Sequence, residues 1–72
     1  MNCGESIKEV RYKCLLSQKD FADAIGVAFS TVNRWENGKT VPNYRALKKI
    51  SEYCRRQGIS FNVGDTLLEE KF

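Results

Sequence analysis

The sequence predicts an all-α, compact fold of five short helices, and three observations predict it. Apolar residues recur at three- and four-residue intervals along most of the chain, the spacing of a helix face. Residues that favour helix starts, Ser6, Ser17 and Asn43, and residues that favour helix ends, Gly26, Gly38 and Gly58, punctuate the chain. Seventy-two residues, 42% of them hydrophobic, suffice for one small core and are too apolar for whole-chain disorder. One domain over residues 1–72 is expected, with a helical core over about 6–57 and an apolar C-terminal segment over 58–72.

Each element has its own signal. Ser6-Ile7-Lys8-Glu9 reads as a capping box, in which the serine oxygen accepts from the amide three residues on and Glu9 reaches back. Ile7, Val10 and Cys14 follow at helical spacing, so a first helix is predicted over about 6–14. Leu15, Leu16 and Ser17 make a short connection. Ser17 is a second N-cap, and Asp20 in the third helical position complements the helix dipole. Phe21, Ala22 and Ile25 share a face, giving a second helix over about 18–25. Gly26 ends it and can adopt the left-handed backbone of a sharp turn. A third helix over about 28–36 stops at Asn37-Gly38. Beyond Pro42, Asn43 caps a long fourth helix over about 43–56, with Tyr44, Leu47, Ile50, Tyr53 and Cys54 as its apolar positions. Residues 59–63 alternate like a strand, whereas the run from Asn62 to Phe72 reads as a short fifth helix; the helical reading is preferred. Ile59, Phe61, Val63, Leu67, Leu68 and Phe72 are too apolar for a solvated tail.

Composition excludes several classes of function. Cys3, Cys14 and Cys54 are odd in number, far apart and without a Cys-x-x-Cys spacing, and there is no histidine. No metal site, cofactor or disulfide framework is therefore expected, and the cysteines fit a reduced, cytoplasmic protein. The opening residues lack the apolar run of a secretory leader, and no stretch approaches the ~20 apolar residues of a membrane span. No serine or cysteine is paired with a base, so an enzyme is not expected. The net charge is +3, but residues 1–58 carry eleven of the twelve Lys/Arg against six Asp/Glu. The last fourteen carry Asp65, Glu69 and Glu70 against Lys71. A basic body with an acidic end suits a polyanion bound away from the C-terminus.

The second and third helices, joined by a glycine-containing turn, form the helix-turn-helix pattern. At about 100° per residue, Ala28, Thr31, Val32 and Trp35 fall on one side of the third helix. Phe29, Ser30, Asn33 and Arg34 fall on the other. Val32 and Trp35 are the expected core anchors, which leaves the opposite face free. That face carries groups suited to the major groove of DNA. Arg34 can donate to guanine O6 and N7, and Asn33 can pair with adenine N6 and N7. Ser30 can reach a base edge or a phosphate, and Phe29 can pack on a thymine methyl. A solvated polar face is the plain alternative.

The stretch from Ser17 to Asn43 resembles the Cro/repressor-type, or XRE-type, helix-turn-helix domain, whose fold is that of the lambda-repressor-like proteins. The likeness rests on Ser17-Gln18, Ala22, Gly26-Val27, Ser30-Thr31-Val32, Trp35-Glu36-Asn37-Gly38-Lys39 and Pro42, with Arg11 at the family's arginine position. It spans about Ile7 to Cys54. The resemblance implies that residues 29–36 form the recognition helix and that Gln18 approaches a phosphate and buttresses the base-reading side chains. It implies that Asn37, Lys39 and Thr40 meet phosphates, and that Arg11 and Glu36 pair. The pair would neutralise an acid lying near DNA. Arg45, in the first turn of the fourth helix, is a further phosphate candidate, while Lys48, Lys49, Arg55 and Arg56 are assigned to a solvated face. Lys13 and Lys19 flank the entrance of the second helix, where they are as fit for solvent as for phosphate. Two departures stand out. Ala28 replaces the family's Ser or Thr cap, costing about 1 kcal/mol, and Phe29 replaces a residue usually polar.

The resulting expectation is a sequence-specific binder of double-stranded DNA, a bacterial or phage transcriptional repressor acting as a homodimer. Segment 58–72 is a candidate dimer contact, and no small-molecule effector is expected. An antitoxin of a toxin–antitoxin pair, or a protein-interaction module using the Phe29 face without DNA, are the alternatives.

Overall fold

A computed structural model of the chain describes residues 3–61. Among the described residues there are four helices and no strand: α1 (Cys3–Lys13), α2 (Gln18–Ile25), α3 (Phe29–Glu36) and α4 (Tyr44–Gln57). The fifth helix expected from the sequence falls on residues outside this range, as does most of the segment 58–72. Ile59 and Phe61, within the range, are half-buried and pack against the core.

Four apolar stripes make that core. Cys3, Ile7 and Val10 of α1 meet Phe21, Ala22 and Ile25 of α2, Val32 and Trp35 of α3, and Ala46, Leu47, Ile50 and Cys54 of α4. α2 packs on both α3 and α4, and α1 packs on α3. The Phe21 and Tyr53 rings join α2 to α4 edge to face, with centroids 6.1 Å apart and an interplanar angle of 79°, a favoured aromatic geometry. α2 starts with the Ser17 hydroxyl accepting from the Asp20 amide at 3.0 Å. α4 starts with Asn43 Oδ1 accepting from the Ala46 amide at 2.8 Å.

Two expectations are corrected. α1 begins at Cys3 rather than near Ser6, so Ser6 and Glu9 lie inside the helix and do not cap it. The reason is tertiary. Gly4 is buried with its Cα against the end of α3, where a Cβ would overlap the Trp35 carbonyl oxygen. Only a glycine permits this approach, which lets Cys3 extend the apolar stripe one turn upstream. Tyr44, assigned to the apolar face of α4, is 65% exposed, and Ala46 is buried instead. The first turn of α4 is held by Pro42 and Ala46, leaving Tyr44 on the outer side.

All four helices end in the same double closure, a 6→1 and a 5→2 backbone hydrogen bond. In α2 the Val27 amide donates to Ala22 and the Gly26 amide to Asp23, with Gly26 at φ 76°. In α1 the Leu16 amide donates to Arg11 and the Leu15 amide to Tyr12, so the left-handed position is Leu15, at φ 57°. A leucine there opposes its own Cβ sterics, at a cost of about 1–2 kcal/mol. Its side chain is 92% exposed and gains no burial in return.

Candidate nucleic-acid interface

α3 is amphipathic along its whole length. Val32 and Trp35 are 0% and 4% exposed, fixing the helix in the core. On the other side Ser30 and Arg34 are exposed, Phe29 is 52% exposed, and Asn33 is half-buried. Ala28 sits at the N-cap in extended backbone and makes no side-chain cap bond. The first-turn amides of α3 therefore receive no side-chain acceptor from their own cap.

The C-terminal end of α3 is tied to α1 and α2 by one polar network. Arg11 Nε donates to Glu36 Oε2 at 2.7 Å, and its Nη2 donates to Oε1 at 2.9 Å. Nη1 donates to the Leu16 carbonyl at 2.9 Å. The two side chains are 12% and 2% exposed, so this is a bidentate pair in which the carboxylate is buried and the guanidinium nearly so. Burial by itself pushes the Glu36 carboxyl up. Hydrogen bonds from Arg11 and Gln18, with the charges of Arg11 and Lys8, outweigh it and hold the carboxyl below its ordinary value. The hydrogen bond to Glu36 raises the Arg11 guanidinium against a smaller opposing effect of burial. Arg11 also lies over the Tyr12 ring, 5.0 Å from its centroid.

From Glu36 the network continues through three carboxamides. Gln18 Nε2 donates to Glu36 Oε1 at 3.1 Å, Asn33 Nδ2 donates to Gln18 Oε1 at 3.1 Å, and Asn37 Nδ2 donates to Asn33 Oδ1 at 3.0 Å. Gln18 and Asn33 are half-buried, and Asn37 is exposed. No buried side-chain polar atom among the described residues lacks a partner.

The remaining candidates lie around the exposed end of this framework. Lys39 and Thr40 are exposed in the loop after α3, and Arg45 is exposed in the first turn of α4. Arg45 borders an open cleft of about 270 Å³ whose walls include Thr31 and Trp35 of α3, Val41, and Lys49. Lys49, assigned from sequence to a solvated face, thus shares the cleft with Arg45. Their i, i+4 spacing on α4 was the signal available for it. Lys19 is instead paired with Asp23 at 3.1 Å, with both side chains largely exposed. Among the described residues no cluster of His, Cys, Asp or Glu could hold a metal ion, and no helix is long and apolar enough to cross a membrane. Burial pushes the Cys54 thiol up to about 11, aided by the neighbouring Cys14, which suits a core thiol and not a nucleophile.

Comparison with known proteins gives a consistent family and partial likenesses. A family profile described as helix-turn-helix matches residues 7–58. The chain is 34% identical over 71 residues to multiprotein-bridging factor 1 of Debaryomyces hansenii, covering 99% of this chain and 47% of that protein. It is 38% identical over 55 residues to the type II methyltransferase M.SsoII of Shigella sonnei, covering 72% of this chain and 14% of the enzyme. It is 32% identical over 53 residues to the HTH-type transcriptional activator BcrR of Enterococcus faecalis, covering 74% and 26%. The chain thus spans half or less of the length of each of these relatives. No solved structure matches at comparable significance.

Proposed function

The chain belongs to the Cro/repressor-type helix-turn-helix family, and from that footing we propose that it binds double-stranded DNA sequence-specifically and regulates transcription. In this reading α3 enters the major groove and Phe29, Ser30, Asn33 and Arg34 meet base edges. Lys39, Thr40, Asn37 and Gln18 meet phosphates, joined by Arg45 and Lys49 from the cleft beside α3. The observation that carries the reading is the division of α3 into a face held in the core by Val32 and Trp35 and a polar face left open. The part-buried Arg11–Glu36 pair supports it, because the guanidinium offsets a carboxylate charge at the end of a helix that would lie against phosphates. Transcriptional regulation draws on the activator BcrR, matched over 74% of this chain. Binding as a two-fold dimer on half-sites about 34–36 Å apart, with repression by promoter occlusion, is the simplest form of the activity. No chemical step is assigned to the chain.

The test is equilibrium binding to duplex DNA across a range of salt. Three cations per protomer at phosphates (Lys39, Arg45 and Lys49) predict a slope of log K against log salt of about −3 per protomer. Lys39→Ala should reduce it by about one. A salt-independent affinity, or none, would overturn the reading.

A second reading is favoured by the likeness to multiprotein-bridging factor 1, which runs over 99% of this chain. Here the exposed Phe29, Val41 and Tyr44 contact another protein. Duplex affinity that falls steeply with salt would exclude this as the chain's sole role.

A further inference from the structure

We propose that Glu36 is a positioning residue for base recognition, setting through Gln18 which way round the Asn33 carboxamide faces the groove. The inference rests on the reading of α3 as the base-reading helix and deepens it. A carboxamide can be turned over at little cost, exchanging its donor and acceptor ends, unless its neighbours forbid it. Here they do. A carboxylate only accepts, so the Gln18 NH2 group must face Glu36, 3.1 Å away. The Gln18 oxygen then faces Asn33 and requires its NH2 group there, at 3.1 Å. The Asn33 oxygen is thereby turned to Asn37, which donates to it at 3.0 Å. One charge orients three amides in sequence, and the second is on the proposed recognition helix.

The consequence is a defined pattern for the groove. After its bonds to Gln18 and Asn37, Asn33 retains one N–H and one oxygen lone pair. A donor beside an acceptor matches adenine, which offers the N7 acceptor and the N6 amino donor in a fixed order across the major groove. Only one orientation of the amide pairs with both. Turning Asn33 over would place oxygen against the Gln18 oxygen and NH2 against the Asn37 NH2, so the wrong orientation is penalised before any base is met. Arg11 makes the device directional. It supplies Glu36 with two hydrogen bonds of its own, at 2.7 and 2.9 Å, so a carboxamide replacing Glu36 would give its single oxygen to Arg11 and turn its NH2 group to Gln18. The relay would then run in reverse.

The experiment is selection of bound sequences from a randomised duplex pool by wild type, Asn33→Ala, Glu36→Gln and Gln18→Met. Asn33→Ala identifies the position that Asn33 reads. Adenine preference there should fall about tenfold in Glu36→Gln, the scale of one lost bidentate base contact, with the other positions keeping their preferences. Gln18→Met leaves the Arg11–Glu36 pair intact, so it folds even where Glu36→Gln does not. It should relax the same position and lower affinity evenly elsewhere. Undiminished preference at that position in the variants that fold, or equal relaxation at every position, overturns the inference while leaving the functional reading standing. Failure of the wild type to enrich any sequence overturns both. A DNA-free readout is the Gln18 side-chain amide resonances, which the hydrogen bond to the carboxylate should displace downfield. They should move back upfield in Glu36→Gln with helical circular dichroism unchanged, and resonances that stay in place count against the relay.

Discussion

Replacing Arg11 by methionine keeps the aliphatic stem and removes the guanidinium, leaving the Glu36 carboxylate with Gln18 as its remaining side-chain donor. The side chains of the pair are 12% and 2% exposed, so the cost is that of orphaning a buried charge, about 3–5 kcal/mol, and not the ~0–1 kcal/mol of a surface pair. Stabilities of roughly 0.05–0.15 kcal/mol per residue put a domain of this size at about 4–11 kcal/mol, so the variant should lose a large part of its stability. The melting temperature should drop by about 12 °C or more. Urea denaturation followed through Trp35 fluorescence measures this. The dependence on pH gives an independent check. In the wild type the folded-state carboxyl lies below its ordinary value of 4.5, so its stabilisation is complete above pH 4.5 and is lost as pH falls through the folded value. Without Arg11, burial dominates and raises the folded value. The variant's deficit then eases as pH falls through that raised value toward 4.5, and below 4.5 the wild type loses its own stabilisation, so the gap narrows across both ranges. A deficit under about 1 kcal/mol at pH 7, or a gap that is constant with pH, would refute the reasoning.

Three further outcomes are expected. Gly4→Ala should destabilise by about 1–3 kcal/mol, because its methyl must displace the Trp35 backbone carbonyl; an unchanged melting temperature would contradict the packing of α1 on α3. Leu15→Gly should stabilise by up to about 1 kcal/mol, the relief of left-handed strain less the extra unfolded-chain entropy of glycine. A loss of stability on urea titration would show that Leu15 makes a compensating contact. Cys54 should react with iodoacetamide far more slowly than an exposed thiol at pH 8, given a thiol near 11; equal rates in the folded protein would contradict its burial.

How much was legible in advance follows from how local each signal is. The bounds of α2 and α4 could be read because Ser17, Gly26, Asn43 and Gly58 act within a turn of themselves, and their caps form as such residues dictate. The capping box misplaces the start of α1 because it too is a local pattern, while the residue that decides the matter, Gly4, works by contact with α3 some thirty positions away in the chain. Periodicity misplaces Tyr44 for a related reason. Helical periodicity sorts residues by angle but cannot say which edge of an apolar stripe meets a neighbour. At the candidate site, the inward and outward sides of α3 follow from its own sequence. The amide chain from Gln18 to Asn33 and Asn37 depends on the angle at which α2 and α3 cross, so only the family resemblance pointed to Gln18 as a buttress, and the order of its bonds had no signal in the sequence. The shared cleft of Arg45 and Lys49 likewise depends on how α4 lies beside α3.

Base reading by the open face of α3 is decided by comparing the sequences enriched from a random duplex pool by wild type and Arg34→Ala. The variant should lose discrimination at one guanine-bearing position, by about 5- to 150-fold, and keep the remainder of the site. An even loss across every position, with no change in the enriched sequence, would show that α3 meets DNA without reading it.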